Sequence, residues 1–312
     1  MQAHKPFRFA AQLRLAGSAK EWAEAARKVE DLGYSSLTMP DHFDEQLAPV
    51  PALMAVASAT TRLRIGTLVF DNDYKHPLVL AKECATLDLL SDGRFELGLG
   101  AGWMRTDYDQ SGIRYDEPKV RVDRFEEAIT VLKGLFADGP FSFSGEHYTI
   151  HEHEGTPKPV QRPHPPIVIG GGGRRVLSIA AREADIVSVN PNLRAGLGGA
   201  ETAPNITPDA TTRKLAWVRE AAGDRFDALE LNALIGFAHV TDDPMSIAEA
   251  MASNFGISAE ETLHVPLILV GSVEAMCEEL QRRREQWGFS YVCFDMGSWE
   301  AMAPVVARLA GT

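Results

Sequence analysis

Short apolar runs alternate with longer amphipathic ones along this 312-residue chain. Phe7 to Leu13 is largely apolar without helical spacing and reads as a first strand. Ser18-Ala19-Lys20-Glu21 has the form of a capping box, and Trp22, Ala25, Ala26 and Val29 behind it share one helical face before Gly33 ends the element. Tyr34 to Met39, Leu63 to Phe70 and Arg94 to Leu99 read as three more strands. Helices from Pro49 to Thr60 and from Pro77 to about Leu90 lie between them, each opening on a proline that suits a first helical turn. A long helix runs from Pro118 to Ala137.

The second half is less regular. Phe141 to Ile150 alternates around Ser144-Gly145 like a β-hairpin, and a Pro-rich connector, Gly155 to Pro166, leads to a strand at Pro166 to Ile169. Ile186 to Val189 is a sixth strand, followed by a loop rich in Gly, Pro, Ala and Asn from Asn190 to Pro208 that suggests a lid or a disordered segment. Helices at Thr211–Ala222, Pro244–Phe255 and Ser272–Trp287 and strands at Leu229–Val240 and Phe289–Asp295 follow, and Ala301 to Leu309 closes the chain. Eight strands alternating with helices, without an internal boundary, predict an α/β protein. The expected fold is a single (β/α)8 TIM barrel over residues 1–312, with insertions at its C-terminal face. The insertions are the hairpin, the Asn190 loop and Gly256 to Val265. An open doubly wound sheet is the alternative.

Composition adds exclusions. With 45% apolar and 24% charged residues the chain is an ordinary globular protein, and its net charge of −12 argues against nucleic acid or an anionic membrane as main partner. The region after Lys5 lacks an apolar run of the signal-peptide type, and no stretch reaches the roughly 20 apolar residues of a membrane span. Cys84, Cys277 and Cys293 sit in apolar contexts and read as buried free thiols, so a cytoplasmic location is expected.

In a barrel the chemistry lies where strands end and helices begin. Gly170, Gly171, Gly172 and Gly173 follow a strand and open onto Arg174-Arg175 and a helix. Bare glycine backbone, helix N–H groups and two arginines together make a phosphate site. A tight turn without a ligand is the plain alternative. Pro40-Asp41-His42-Phe43 follows the second strand and places two titratable groups at the mouth; histidine passes protons in either direction near neutrality. There the alternative is a surface turn in which Asp41 caps a backbone N–H. Gly98-Leu99-Gly100-Ala101-Gly102-Trp103 is not a dinucleotide loop, because Trp103 stands where a third glycine is required. It is backbone that approaches a flat ligand, with Trp103 available for stacking. Leu68-Val69-Phe70-Asp71 is either barrel core or the wall behind a planar ring. His151-Glu152-His153-Glu154 reads as a solvated loop tip rather than a metal site, so no metal is expected.

These pieces together resemble the luciferase-like family of flavin and deazaflavin oxidoreductases, and most closely its branch that uses the deazaflavin coenzyme F-420. The carriers include Pro40 to Phe43, Ile65-Gly66-Thr67-Leu68-Val69, the whole string from His76 to Trp103, Gly170 to Gly173, and Leu269-Val270-Gly271-Ser272. The resemblance implies a ring at the barrel mouth. It also implies a non-proline cis peptide near Leu68-Val69-Phe70, bulging against that ring. Asp41 and His42 would face the ring. Gly100, Ala101, Gly102, Gly171, Gly172, Gly173, Arg174 and Arg175 would hold the cofactor and its phosphate tail. The sugar-phosphate dehydrogenases of that branch carry acids where this chain has Gln12 and Trp103, which argues against a sugar-phosphate. With Gln12 also on the substrate side, Trp103, Phe70 and Phe237 suggest a flatter, more apolar substrate.

The expected activity is hydride transfer between coenzyme F-420 and a small organic molecule, with His42 as proton donor or acceptor. The alternatives are an FMN-dependent monooxygenase and a non-catalytic barrel that only binds ligands. The resemblance also implies a homodimer.

Overall fold

Eight parallel strands close on themselves around a filled interior. They are β1 (Arg8–Gln12), β2 (Ser36–Met39), β3 (Arg64–Thr67), β4 (Phe95–Gly100), β5 (Ile167–Gly171), β6 (Ile186–Val189), β7 (Glu230–Ile235) and β8 (Phe289–Phe294). Neighbours pair in sequence order, β1 also pairs with β8, and the ring is complete through Ile65 opposite Phe95. The computed structural model describes residues 5–193 and 200–312. The chain is therefore a (β/α)8 barrel as the alternation predicts, not an open sheet. Part of the Asn190–Pro208 loop, residues 194–199, lies outside the described residues.

The helices form on the expected signals. Ser18 accepts a hydrogen bond from the Glu21 N–H at 3.2 Å, and the Glu21 carboxylate reaches back to the Gly17 N–H at 2.9 Å. The reciprocal bond thus closes one residue outside the usual capping box. Trp22, Ala26 and Val29 are buried on the inner face of Ala19–Asp31. Phe9, Leu37, Ile65, Phe95 and Phe294 point between sheet and helices into the main core, where Phe9 stacks on Phe294 at 5.9 Å.

Two apolar runs break where the pattern predicts one strand. Leu63 to Phe70 ends as β3 at Thr67, and a two-residue strand, Phe70–Asp71, resumes against β4. The Leu68–Val69 peptide between them is cis, as the resemblance implies. Leu229 to Val240 leaves the barrel after Ile235. Phe237–Val240 pairs instead with Ile268–Gly271, a strand the periodicity does not single out. The Gly236 and Phe237 N–H groups both turn to the Leu267 carbonyl, so the run changes partner while staying apolar. A third difference is the helix Arg105–Ser111, in a segment that reads as polar loop. The hairpin pairs Phe141–Ser144 with Thr149–His153 as expected.

The barrel interior is charged at one level and uncharged, in part apolar, above it. Glu96 lies 2.6 Å from Arg8 and 2.7 Å from Arg64, and accepts from the Tyr291 hydroxyl at 3.1 Å. Burial alone would raise the Glu96 pKa; the two guanidinium groups prevail and hold it below the usual range. Above this layer Ala10, Val168, Ile186 and Cys293 pack with Leu68 and Leu234, which floor the mouth. The three cysteines are free and buried. Among the described residues no helix is long and apolar enough to cross a membrane.

Candidate active site at the barrel mouth

A cavity of about 700 Å³ opens at the C-terminal ends of the strands. Its wall includes Gln12, Asp41, His42, Leu68, Val69, Phe70, Gly100, Ala101, Gly102, Trp103, Gly171 to Gly173, Arg174 and Arg175. Of the residues singled out in the sequence, Phe237 is the one that stands apart. It is exposed on the strand outside the barrel, and Leu234 and Leu267 take that part of the wall. The break at Gly236 is what carries its ring away.

Each side chain is set by the strand it follows. Gln12, at the end of β1, is buried and donates from Nε2 to the Leu68 carbonyl at 3.1 Å. It therefore supports the backbone of the bulge. His42 follows β2, and its Nδ1 lies 2.7 Å from Asp107 Oδ2. The Tyr74 hydroxyl donates to the same oxygen at 2.8 Å, and the Phe43 N–H reaches Oδ1 at 3.4 Å. Burial pushes the Tyr74 phenol well up, so it stays a donor. Trp103 meets the His42 ring edge-on at 5.7 Å. Asp107 is 2% exposed and sits in the helix Arg105–Ser111. The sequence gives no sign of it, because Asp109 and Asp116 nearby look alike in a segment without periodicity.

Two further carboxyls line the cavity. Burial pushes Asp41 up to about 6 and Asp71 up to about 7. The Asp71 N–H donates to Asp41 at 3.3 Å, and the Tyr108 hydroxyl donates to Asp71 at 3.0 Å. Gly102 makes this arrangement possible: its φ is +74°, and a side chain there would run into Tyr108 and the Asp71 carboxyl. Arg121, 3% exposed, donates to the Gly102 carbonyl at 2.5 Å and to the Asp116 carbonyl at 3.1 Å, fixing the glycine loop from behind.

On the far side, β5 runs into the helix Arg174–Glu183, with Gly173 at its N-cap. Arg174 lies 3.0 Å from Glu220, and Arg175 lies 2.5 Å from Asp123. These are exposed pairs worth at most about 1 kcal/mol each, so an incoming anion competes with them readily. Gly172 and Gly173 differ. A side chain at Gly172 would overlap the Pro191 and Asn190 carbonyls, whereas Gly173 has only Asn192 Nδ2 at 3.8 Å. Gly172 therefore serves chain packing, and Gly173 faces open space. Beyond β6, the buried Lys214 donates to the Asn190 and Asn205 carbonyls at 2.6 and 2.7 Å. Burial lowers its pKa to about 8.

The family model described as luciferase-like monooxygenase matches residues 4–306. The chain belongs to that family. It is 32% identical over 154 residues to an FMNH(2)-dependent dimethylsulfone monooxygenase of Pseudomonas putida, covering 49% of this chain and 42% of that protein. It is 32% identical over 174 residues to an F420-dependent glucose-6-phosphate dehydrogenase of Amycolatopsis mediterranei, covering 53% and 52%. The matched region thus spans about half the length of these relatives or less. Among solved structures, the coenzyme F420-dependent tetrahydromethanopterin reductase of Methanopyrus kandleri superimposes with a TM-score of 0.79 at 17% identity, covering 98% of this chain and 99% of that one. The long-chain alkane monooxygenase LadA gives 0.76 at 15% identity, covering 98% and 92%. Both likenesses are of fold.

Proposed function

We propose that this member of the family transfers a hydride between coenzyme F-420 and a small, largely apolar organic substrate. The observation that carries the reading is a single cavity joining the glycine-and-arginine helix start after β5 to the His42–Asp107 pair after β2. The wall fits such a coenzyme. Leu68, Val69 and Ala101 offer an apolar shelf to a flat ring, and the first turn of Arg174–Glu183 with its two arginines suits a phosphate tail. When bound, the coenzyme supplies the redox chemistry. The protein's own residues bind, orient and exchange the proton. Asp107 accepts from Nδ1 of His42 and so leaves Nε2 as the working nitrogen. The apolar wall of Leu234, Leu267 and Trp103 excludes water from the reacting centre. A homodimer of single-domain barrels belongs to the same reading, and light scattering on the purified chain checks it.

A second reading, an FMN-dependent monooxygenase, is favoured by the likeness to the dimethylsulfone monooxygenase. Separate fluorescence titrations with coenzyme F-420 and FMN decide between the two. The proposal expects F-420 to bind at least tenfold more tightly, a difference of about 1.4 kcal/mol. Tighter FMN binding with substrate-dependent oxygen uptake would establish the second reading instead.

A further inference from the structure

Five basic side chains line the cavity: Arg14, Lys119, Arg121, Arg174 and Arg175. Four of them have hydrogen-bonded partners. Arg121 holds backbone carbonyls, Lys119 and Arg175 share Asp123, and Arg174 pairs with Glu220. Arg14 differs. Its nearest carboxylate, Asp44, is 3.7 Å away and 47% exposed, and among the described residues its guanidinium makes no hydrogen bond. A guanidinium carries five donors and matches a carboxylate two bonds at a time. Arg14 is itself 28% exposed, so those donors are partly withdrawn from water.

Its place in the barrel matters. Arg14 follows β1, four strands around the ring from β5 and the glycine segment. The cavity therefore has a cationic group at each of two opposite sides. Leu68, Val69, Leu234 and Leu267 form apolar wall between them. A phosphate tail at β5 leaves Arg14 unused. The lining carboxyls, Asp41 and Asp71, form no ion pair with Arg14; among the described residues Asp44 is the carboxylate within reach of it.

We propose that Arg14 receives the carboxylate of the substrate, which is an apolar body carrying one anionic end. This rests on the redox reading of the same cavity. The exposed Asp44 carboxylate, 3.7 Å from Arg14, competes with the substrate for the guanidinium and gives way when it arrives.

The test compares 3-phenylpropanoate with 3-phenyl-1-propanol by calorimetry. It uses the purified chain, alone and saturated with whichever of coenzyme F-420 or FMN it binds. The acid should bind at least about tenfold more tightly than the alcohol, as expected of charge-assisted hydrogen bonds. Arg14→Met should erase that preference without weakening the alcohol, and Arg14→Lys should keep part of it. Asp44→Asn should tighten the acid severalfold and leave the alcohol unchanged. Equal binding of acid and alcohol by the unaltered protein overturns the proposal, as does a preference that survives Arg14→Met. If Arg14→Met does not fold, Asp44→Asn decides, and unchanged acid affinity there also overturns it. Failure to bind either cofactor defeats the redox reading alone, because the acid preference is still measured on the chain by itself.

Discussion

His42 and Asp107, 65 positions apart in sequence, meet at 2.7 Å between Nδ1 and Oδ2 at the barrel mouth. The carboxylate is also held by Tyr74, so the contact is a fixed one rather than a surface pairing. A carboxylate at Nδ1 keeps the proton on that nitrogen and leaves Nε2 as an acceptor. An amide offers one acceptor atom to the three donors gathered here, His42 Nδ1, the Tyr74 hydroxyl and the Phe43 N–H, so it holds the ring and its tautomer less firmly.

His42→Ala should therefore lower single-turnover hydride transfer by roughly 100- to 10,000-fold, the usual contribution of a general acid or base. Asp107→Asn should lower it too, with little change in cofactor affinity. The two substitutions act on one unit, so the double variant should be no slower than His42→Ala alone. Additive losses would mean that Asp107 acts by another route. A His42→Ala protein that melts far lower but turns over normally would make His42 a structural residue.

The barrel was legible because its period is coarse. Alternating apolar and amphipathic runs survive an error of two residues at any boundary. The site was legible only where the strand ends advertise themselves, as at Pro40-Asp41-His42 and the glycine segments. Asp107 and Arg14 carry no local signature: one enters through a seven-residue helix, the other through a charged residue just beyond β1. Phe237 shows the converse. Its apolar run is continuous with β7, and only Gly236 marks where the chain leaves the barrel. Which residues share a cavity is fixed by such breaks, and apolarity alone does not record them.

Asp71 gives a stability prediction with a definite sign. Its folded pKa is raised to about 7 by burial, against about 3.9 for an unfolded aspartate. Below about pH 4 both states are protonated and nothing is lost. From pH 4 to 7 the folded protein keeps a proton that the unfolded chain releases, so stability falls as pH rises. Asp71→Asn removes that penalty while still accepting from Tyr108. It should stabilise the protein by on the order of 2 kcal/mol at pH 8, with the gain fading to nothing by pH 4. A gain independent of pH in urea melts would disprove the assignment.

Glu96 has the opposite sign. Burial would raise its pKa, but Arg8 and Arg64 lower it overall. Its contribution is full above the unfolded value and is lost as pH falls through the folded one. Glu96→Ala takes one acceptor from each of two partly buried guanidinium groups and from the Tyr291 hydroxyl, which keep Glu230, Gln161 and Ser36 respectively. The expected cost is roughly 3 kcal/mol near pH 7, at the low end for a broken buried pair because both arginines retain some solvent. A cost under 1 kcal/mol in denaturant unfolding would show that the network contributes little.

The last prediction separates the two glycines before the helix Arg174–Glu183. Gly172 reads from sequence as the place where a carboxylate would block phosphate. A side chain there first meets the Asn190 and Pro191 carbonyls, so Gly172→Asp should move the chain beyond β6 and lose stability along with binding. Gly173 has φ −93° and ψ 150°, ordinary extended backbone, with room for a side chain. Aspartate is a better N-cap than glycine by a few tenths of a kcal/mol, and it favours the positive end of the helix. Gly173→Asp should thus keep or slightly raise the melting temperature. The same carboxylate satisfies the helix N–H groups and repels a phosphate, so affinity for a phosphorylated cofactor should fall by about tenfold or more. Gly173→Ala adds bulk without charge and should bind nearly normally. If Gly173→Asp melts as the unaltered protein does and binds F-420 or FMN just as tightly, the tail does not rest at this helix start.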